Sequence, residues 1–222
     1  MKYLKLISLS LVLAMGLSSC AWNRAATGGV IGAGTGGLLG GIIGKQLGNT
    51  AAGAIIGAAV GGAAGAAIGH YMDKQADEMR RDLRNAKVER VGEGIKITFD
   101  SGILFAVGKS DLTSVSTTNI NDLARILSKY KDTNILIEGH TDNTGTDQIN
   151  NRLSEDRASS VSRQLKSDGV QGLRISTNGY GSRQPVADNS TTDGRQANRR
   201  VEVAIFANDK LKRAAKNGTI GS

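Results

Sequence analysis

Residues 135–157 read ILIEGHTDNTGTDQINNRLSEDR, and the fold turns on how that stretch divides. Ile135, Leu136 and Ile137 form a short apolar run of the kind that makes a buried strand. Gly139, His140, Thr141, Asp142, Asn143, Thr144 and Gly145 follow as a cluster of turn formers. Beyond them Ile149, Leu153, Val161 and Leu165 recur at helical spacing. Asn150 and Arg157 lie seven residues apart, so on a helix they fall about 20° from one line. That line flanks the apolar face and puts both side chains at the edge of the core. An acid on the loop and an arginine on the following helix make a two-charge receptor. Such a receptor suits a zwitterion with a carboxylate and an ammonium on one carbon.

Working outward, residues 88–91, Gly92-Glu93-Gly94 and residues 95–99 predict a hairpin. In it Ile95, Ile97 and Phe99 alternate with Lys96 and Thr98, which buries one face. Leu104 and Phe105 are expected in the core. Residues 113–130 predict a helix with Ile120, Leu123, Ile126 and Leu127 inside. Gly169 is placed to end the helix that follows the loop. Residues 175–179 predict another strand, 183–195 a long loop holding Pro185, and 201–206 the last strand. The order β-α-β-α-β-β predicts a two-layer α+β domain. Residues 71–87 are strongly charged and predict a solvated connector helix acting as a spacer. Residues 209–222 predict a loose basic tail.

Several spaced elements then occur together: TDNTG, the pattern formed by Asn150, Leu153, Ser154, Arg157, Ala158 and Val161, then NGYG, then NRRVEV at 198–203. In that order they resemble the OmpA-like C-terminal domain, over roughly residues 91–206. The resemblance implies non-covalent binding of peptidoglycan, with the free end of a diaminopimelate side chain gripped by Asp142 and Arg157. It also implies that Asn150 assists, with Thr141 and Gly145 in the same TD-x-x-G loop. The Gly145 turn offers backbone N–H groups as further donors. Taken alone, Asp142 reads equally as a turn cap, Asn150 as a brace for the loop, and Arg157 as a solvated helix residue. Arg199 and Arg200, just before the last strand, are expected to be structural or to line the rim. Related domains place a polar side chain before the first helix; Gly108 stands there in this chain and leaves that contact to backbone.

The chain has 222 residues, a net charge of +8, one cysteine and one proline. Residues 1–19 read as a signal peptide, with Lys2 and Lys5 ahead of the apolar stretch 6–17. That stretch is shorter than the roughly 20 residues a membrane span needs. Leu17-Ser18-Ser19-Cys20 resembles a bacterial lipobox, which implies a mature chain beginning at an acylated Cys20, with residues 20–24 as its lipidated N-terminus. A disulfide is then excluded, since this is the only cysteine. Ala21, in place of an aspartate, points to the outer membrane, with the C-terminal domain in the periplasm. Export argues against nucleic acid as the partner of the basic surface. Anionic lipid or wall polymer fits it better.

Residues 25–70 are organised by glycine. Gly28, Gly32, Gly36, Gly40, Gly44 and Gly48 are spaced by four, and so are Gly53, Gly57, Gly61, Gly65 and Gly69. Such spacing cuts a groove along a helix into which a second helix can pack. In a solvated helix each glycine costs about 1 kcal/mol against alanine, so the pattern calls for packing. A glycine-zipper helical hairpin is expected, inserted in membrane or self-associated into a homo-oligomer; a compact Gly-rich linker is the other reading. The glycine helices alone would make this a structural or assembly factor, which is the competing function class.

No enzyme is expected. Gly32 to Gly37 satisfies G-x-G-x-x-G, yet no strand precedes it and no acid follows about 20 residues on. No G-x-S-x-G elbow is present, and no zinc spacing of His or Cys. His140 is expected to brace the turn. Neither cofactor nor metal is expected.

Overall fold

The computed structural model describes residues 50–220. The leader, Cys20 and the first glycine run lie outside the described residues. Five strands form one sheet in the order β1-β2-β5-β3-β4. β1 (Ala86–Val91) and β2 (Gly94–Asp100) make the expected hairpin. β5 (Arg200–Ala207) pairs antiparallel with β2 and with β3 (Thr133–Gly139). β4 (Ile175–Gly179) closes the far edge, parallel to β3.

In chain order the helices are α1 (Thr50–Ala58), α2 (Gly62–Asp82), the short α3 (Ser101–Leu104), α4 (Ser114–Lys129), α5 (Asp147–Ser167), α6 (Thr192–Asn198) and α7 (Asp209–Lys216). With the opening hairpin counted as its first unit, the domain follows the β-α-β-α-β-β order. Thr113 and Thr146 start α4 and α5 by accepting from the amides of Ser116 and Ile149, which satisfies N–H groups that a helix start leaves bare. Gly169 ends α5 with φ at +91°, a conformation that favours glycine.

The main core lies between one sheet face and the helices. Ile95, Ile97, Phe99, Ile135, Ile137, Val201, Val203 and Ile205 meet Ile120, Leu123, Leu127, Val161 and Leu165 there. Each such side chain contributes about 1.5–3 kcal/mol of burial. β5 is buried along its whole length, because α1 covers part of the other face. There Ala51, Ala54, Ile55 and Ala58 pack on Leu136, Ala204 and Phe206.

Five sequence expectations change. The connector is not a solvated spacer: Ile68, Met72, Ala76 and Met79 form an apolar stripe on α2 that enters the main core. Counting charges along 71–87 obscured that i, i+4 stripe. The second glycine run is not one long helix. It breaks between α1 and α2, where Gly61 and Gly62 have φ of +74° and +62°, and Glu93 binds the amides of Val60 and Gly61 at 2.8 and 2.7 Å. The α2 end of its groove receives the β1–β2 turn: a Cβ on Gly65 would lie 2.1 Å from the Glu93 carboxylate, and Arg90 Nη2 donates to the Gly69 carbonyl at 3.3 Å. Among the described residues no helix is long and apolar enough to cross a membrane. The tail is not loose either. Asn208 caps α7, and Leu211 and Ala215 are buried. The long loop holds α6, started by Thr191. Ile149 is 61% exposed, because it precedes the turn of α5 that first touches the sheet.

Candidate functional site

The loop of residues 140–146 is pinned where β3 ends. The His140 amide donates to the Arg200 carbonyl, Thr141 to Gly181, and Tyr180 to Gly139, at 2.9–3.0 Å. Two glycines let α5 come close. A Cβ on Gly139 would lie 2.0 Å from the Ser154 carbonyl oxygen, and one on Gly179 2.5 Å from the Glu155 nitrogen. The Ser154 hydroxyl also accepts from the Gly181 amide at 2.9 Å. Loop and helix are therefore held at fixed separation, which is what a two-element receptor needs.

Asp142 is 7% exposed. Its Oδ1 accepts from the Thr144 amide at 2.9 Å, and its Oδ2 accepts from Arg199 Nη1 at 2.6 Å. Burial by itself would raise its pKa. The Arg199 bond and the Thr144 bonds outweigh burial and hold the carboxyl below its ordinary value. Arg157 is 4% exposed. Its Nε donates to the Lys109 carbonyl at 3.0 Å, and its guanidinium lies over the Phe105 ring, 5.1 Å from the centroid. Burial lowers its pKa first; the Arg199 charge adds to this and the Asp142 charge opposes it. The three charges thus act on one another in one place. Among the described residues neither Nη of Arg157 makes a hydrogen bond or an ion pair.

Asn150 is 4% exposed and its Nδ2 donates to the Thr144 carbonyl at 3.1 Å, so it braces the loop. Among the described residues the buried Thr141 hydroxyl has no hydrogen-bond partner. Gly145 has φ at +90°, a turn geometry that L side chains rarely adopt. Gly108 has φ at +68° and shapes the turn that aims the Lys109 carbonyl at Arg157. Cys20 lies outside the described residues. The His140 ring is 1% exposed and stacks on Tyr180 beneath the loop.

Sequence reasoning undervalued Arg199 and missed Phe105 and the Lys109 carbonyl as partners of Arg157. The structure brings two arginines and one aspartate together here, Arg199 joining Arg157 and Asp142. The signal available was the pair Arg199-Arg200 after Asn198. The fold gives those three residues separate tasks. Asn198 accepts from the amides of Val186 and Ala187, Arg199 meets Asp142, and Arg200 bonds the buried Glu202 at 2.6 Å.

The OmpA family model matches residues 104–199, and the YMGG-like Gly-zipper model matches residues 1–73. Over 138 residues the chain is 35% identical to the probable lipoprotein YiaD of Escherichia coli (strain K12), covering 61% of this chain and 63% of that protein. It is 33% identical over 131 residues to the peptidoglycan-associated lipoprotein of Buchnera aphidicola subsp. Baizongia pistaciae (strain Bp), covering 59% and 76%. The solved cell wall anchor of the T6SS from Pseudomonas aeruginosa is 28% identical, with a TM-score of 0.54 over 61% of this chain and 96% of that chain. The chain spans less than two thirds of YiaD and 34% of outer membrane porin F of Pseudomonas aeruginosa.

Proposed function

The chain belongs to the OmpA family, with a YMGG-like Gly-zipper segment ahead of the domain, and from that premise we propose that it is an outer-membrane lipoprotein that holds peptidoglycan non-covalently. In this reading the carboxylate of a diaminopimelate side chain takes the two Nη groups of Arg157, in a bidentate pair. The ammonium of the same carbon goes to Asp142, whose carboxylate has lone pairs beyond those used by Thr144 and Arg199. Arg199 leaves the receptor with positive charge in excess, which favours a ligand with a second carboxylate. Thr141, Gly145 and Asn150 hold the loop that carries Asp142. Acylated Cys20 supplies the anchor, and the domain stands in the periplasm. The module performs no catalytic step.

The observation that carries the reading is a buried guanidinium with an open fork beside a buried aspartate. Burying such a cation is costly without a partner, and a ligand carboxylate would provide one. The named relatives, a peptidoglycan-associated lipoprotein and a cell wall anchor, support the same reading. The test is retention of the full chain on purified sacculi. Retention is expected to be lost in Asp142→Ala and Arg157→Ala and to be competed by free diaminopimelate. Unchanged retention in both variants would remove the proposal; retention lost in both but indifferent to free diaminopimelate would leave wall binding and remove the ligand. For the anchor, labelling with radioactive palmitate should mark the wild type and spare Cys20→Ser.

The assembly reading loses part of its basis. One face of residues 50–58 packs on the sheet, and Gly65 and Gly69 meet the β1–β2 turn, so those glycines are already occupied within the chain.

A further inference from the structure

On the sheet face that α1 partly covers, Glu138 of β3 stands opposite Glu202 of β5. His140 lies two residues beyond Glu138 and so shares its face. Glu138 is 0% exposed, His140 1% and Glu202 2%. Like charges directly opposite each other in a sheet are destabilising. Arg200 neutralises one of them: its Nε donates to Glu202 Oε1 at 2.6 Å, while its Nη1 turns to the carbonyls of Gln184 and Asn198. Among the described residues Glu138 has no hydrogen-bonded cation of its own; the Tyr180 side chain and the Ala51 backbone are the groups that lower its pKa by hydrogen bonding. Among the described residues neither ring nitrogen of His140 has a hydrogen-bond partner, although the ring is buried. Its Nε2 is 3.9 Å from Glu138 Oε2. A buried imidazole left in that state is expensive.

We propose that Glu138, His140 and Glu202 form a buried site for a divalent transition-metal ion, zinc by its ligand set, which clips β3 to β5 beneath the start of α1. The three ligand atoms lie within 4.8 Å of one another. Oxygen and nitrogen ligands of tetrahedral zinc stand about 3.3 Å apart at bond lengths near 2.0 Å, so small rotamer changes close the site. One imidazole and two carboxylates suit zinc, whereas calcium and magnesium take oxygen ligands. Burial first, and then the facing Glu202 charge, raise the Glu138 pKa and so oppose its ionised form; a bound cation relieves that opposition, and any proton held there leaves as the metal–oxygen bond forms. Arg200 lies close by and opposes the incoming charge, which sets the affinity below that of closed structural zinc sites. The cluster shares no ligand residue with the Asp142–Arg157–Arg199 receptor, so its test is independent of wall binding.

The full chain, freed of metal by chelation, is titrated with zinc chloride against a chromogenic indicator at pH 7.5. One zinc per chain is expected, with a rise in Tm. Glu138→Gln and His140→Ala should each weaken binding at least about tenfold, while His70→Ala and Cys20→Ser leave it unchanged. Glu138→Gln keeps the side-chain shape, and circular dichroism checks that it folds. X-ray absorption at the zinc edge should show one imidazole with oxygen neighbours and no sulfur. Binding weaker than about 100 μM, binding unchanged in Glu138→Gln, or a sulfur ligand would each overturn the site.

Discussion

Arg174 and Arg157 are both buried without a bonded carboxylate, unlike the buried Arg200, and they are satisfied in opposite ways. Arg174, just before β4, is 7% exposed, and it donates to the carbonyls of Thr133, Leu127 and Tyr130 and to the Thr133 hydroxyl, at 2.7–3.0 Å. It ties the end of α4 to the start of β3. Arg157 is 4% exposed and, among the described residues, makes one hydrogen bond, from Nε, to the Lys109 carbonyl. Burial is the first cause lowering the pKa of both, and neither has a carboxylate bonded to it. The difference is the fork. Around Arg174 the fold has supplied acceptors, so the cation is a structural nail. Around Arg157 it has supplied a ring, one carbonyl and a neighbouring acid, and among the described residues the two Nη groups have no acceptor. Burial of a charged group therefore does not distinguish structure from function; the census of its hydrogen bonds does.

The comparison breaks most sharply on truncation. Arg157→Ala should lower affinity for sacculi about a thousand-fold, ~4 kcal/mol, in the range for removing one partner of a buried charged pair. The same change should leave urea unfolding of the free protein nearly unmoved or shift it to higher urea, because an uncompensated buried cation is gone. Arg174→Met should do the reverse. It leaves the carbonyls of Leu127, Tyr130 and Thr133 without their donor and should cost about 3 kcal/mol of stability by the same urea titration. Sacculus binding per folded molecule should stay as it was. If both variants lose stability and neither loses binding, the two arginines are of one kind.

A smaller change sharpens the point. Arg157→Lys keeps the charge and removes the planar fork. It should weaken sacculus binding roughly tenfold, measured as retention against added protein concentration. A lysine that binds as well as arginine would mean that the site senses charge alone.

The same contrast explains what could be read from the chain before its structure. Strand, loop and helix from 135 to 167 were legible because alternation, turn formers and helical spacing follow one another without overlap. Asp142 and Arg157 were singled out by the resemblance of TDNTG and the helix after it to the OmpA-like domain, since spacing alone left a turn cap and a solvated helix residue open. Arg199 was not, since its place in the site depends on β5 inserting between β2 and β3, a long-range pairing that no local pattern encodes. The packing of α2 was hidden for a different reason. Charges at Asp73, Lys74, Asp77 and Glu78 dominate the segment, while Met72, Ala76 and Met79 carry the burial. The glycine spacing correctly called for close packing. It named the wrong partner, because a groove cut by glycine receives a β-turn as readily as a helix.

Arg199 supplies the mildest variant and the finest test. It is 38% exposed at the side chain and acts on the ligand partly through Asp142. In the wild type the Asp142 pKa is depressed, so the ionised acid contributes fully above its ordinary value of 3.8 and is lost only as pH falls through the lower, folded value. Sacculus binding should therefore hold across mildly acidic pH. Arg199→Ala removes the strongest of the interactions that lower this pKa and leaves burial, which raises it. At pH 7 the variant should bind only a few-fold more weakly, since Asp142 stays ionised there and Arg157 keeps its fork. As pH falls its binding should be lost earlier than that of the wild type, with the midpoint displaced to higher pH. An acid limb identical in the two proteins would mean that Asp142 is not the group that takes the ammonium. A loss at pH 7 as large as that of Arg157→Ala would mean that Arg199, not Arg157, holds the carboxylate.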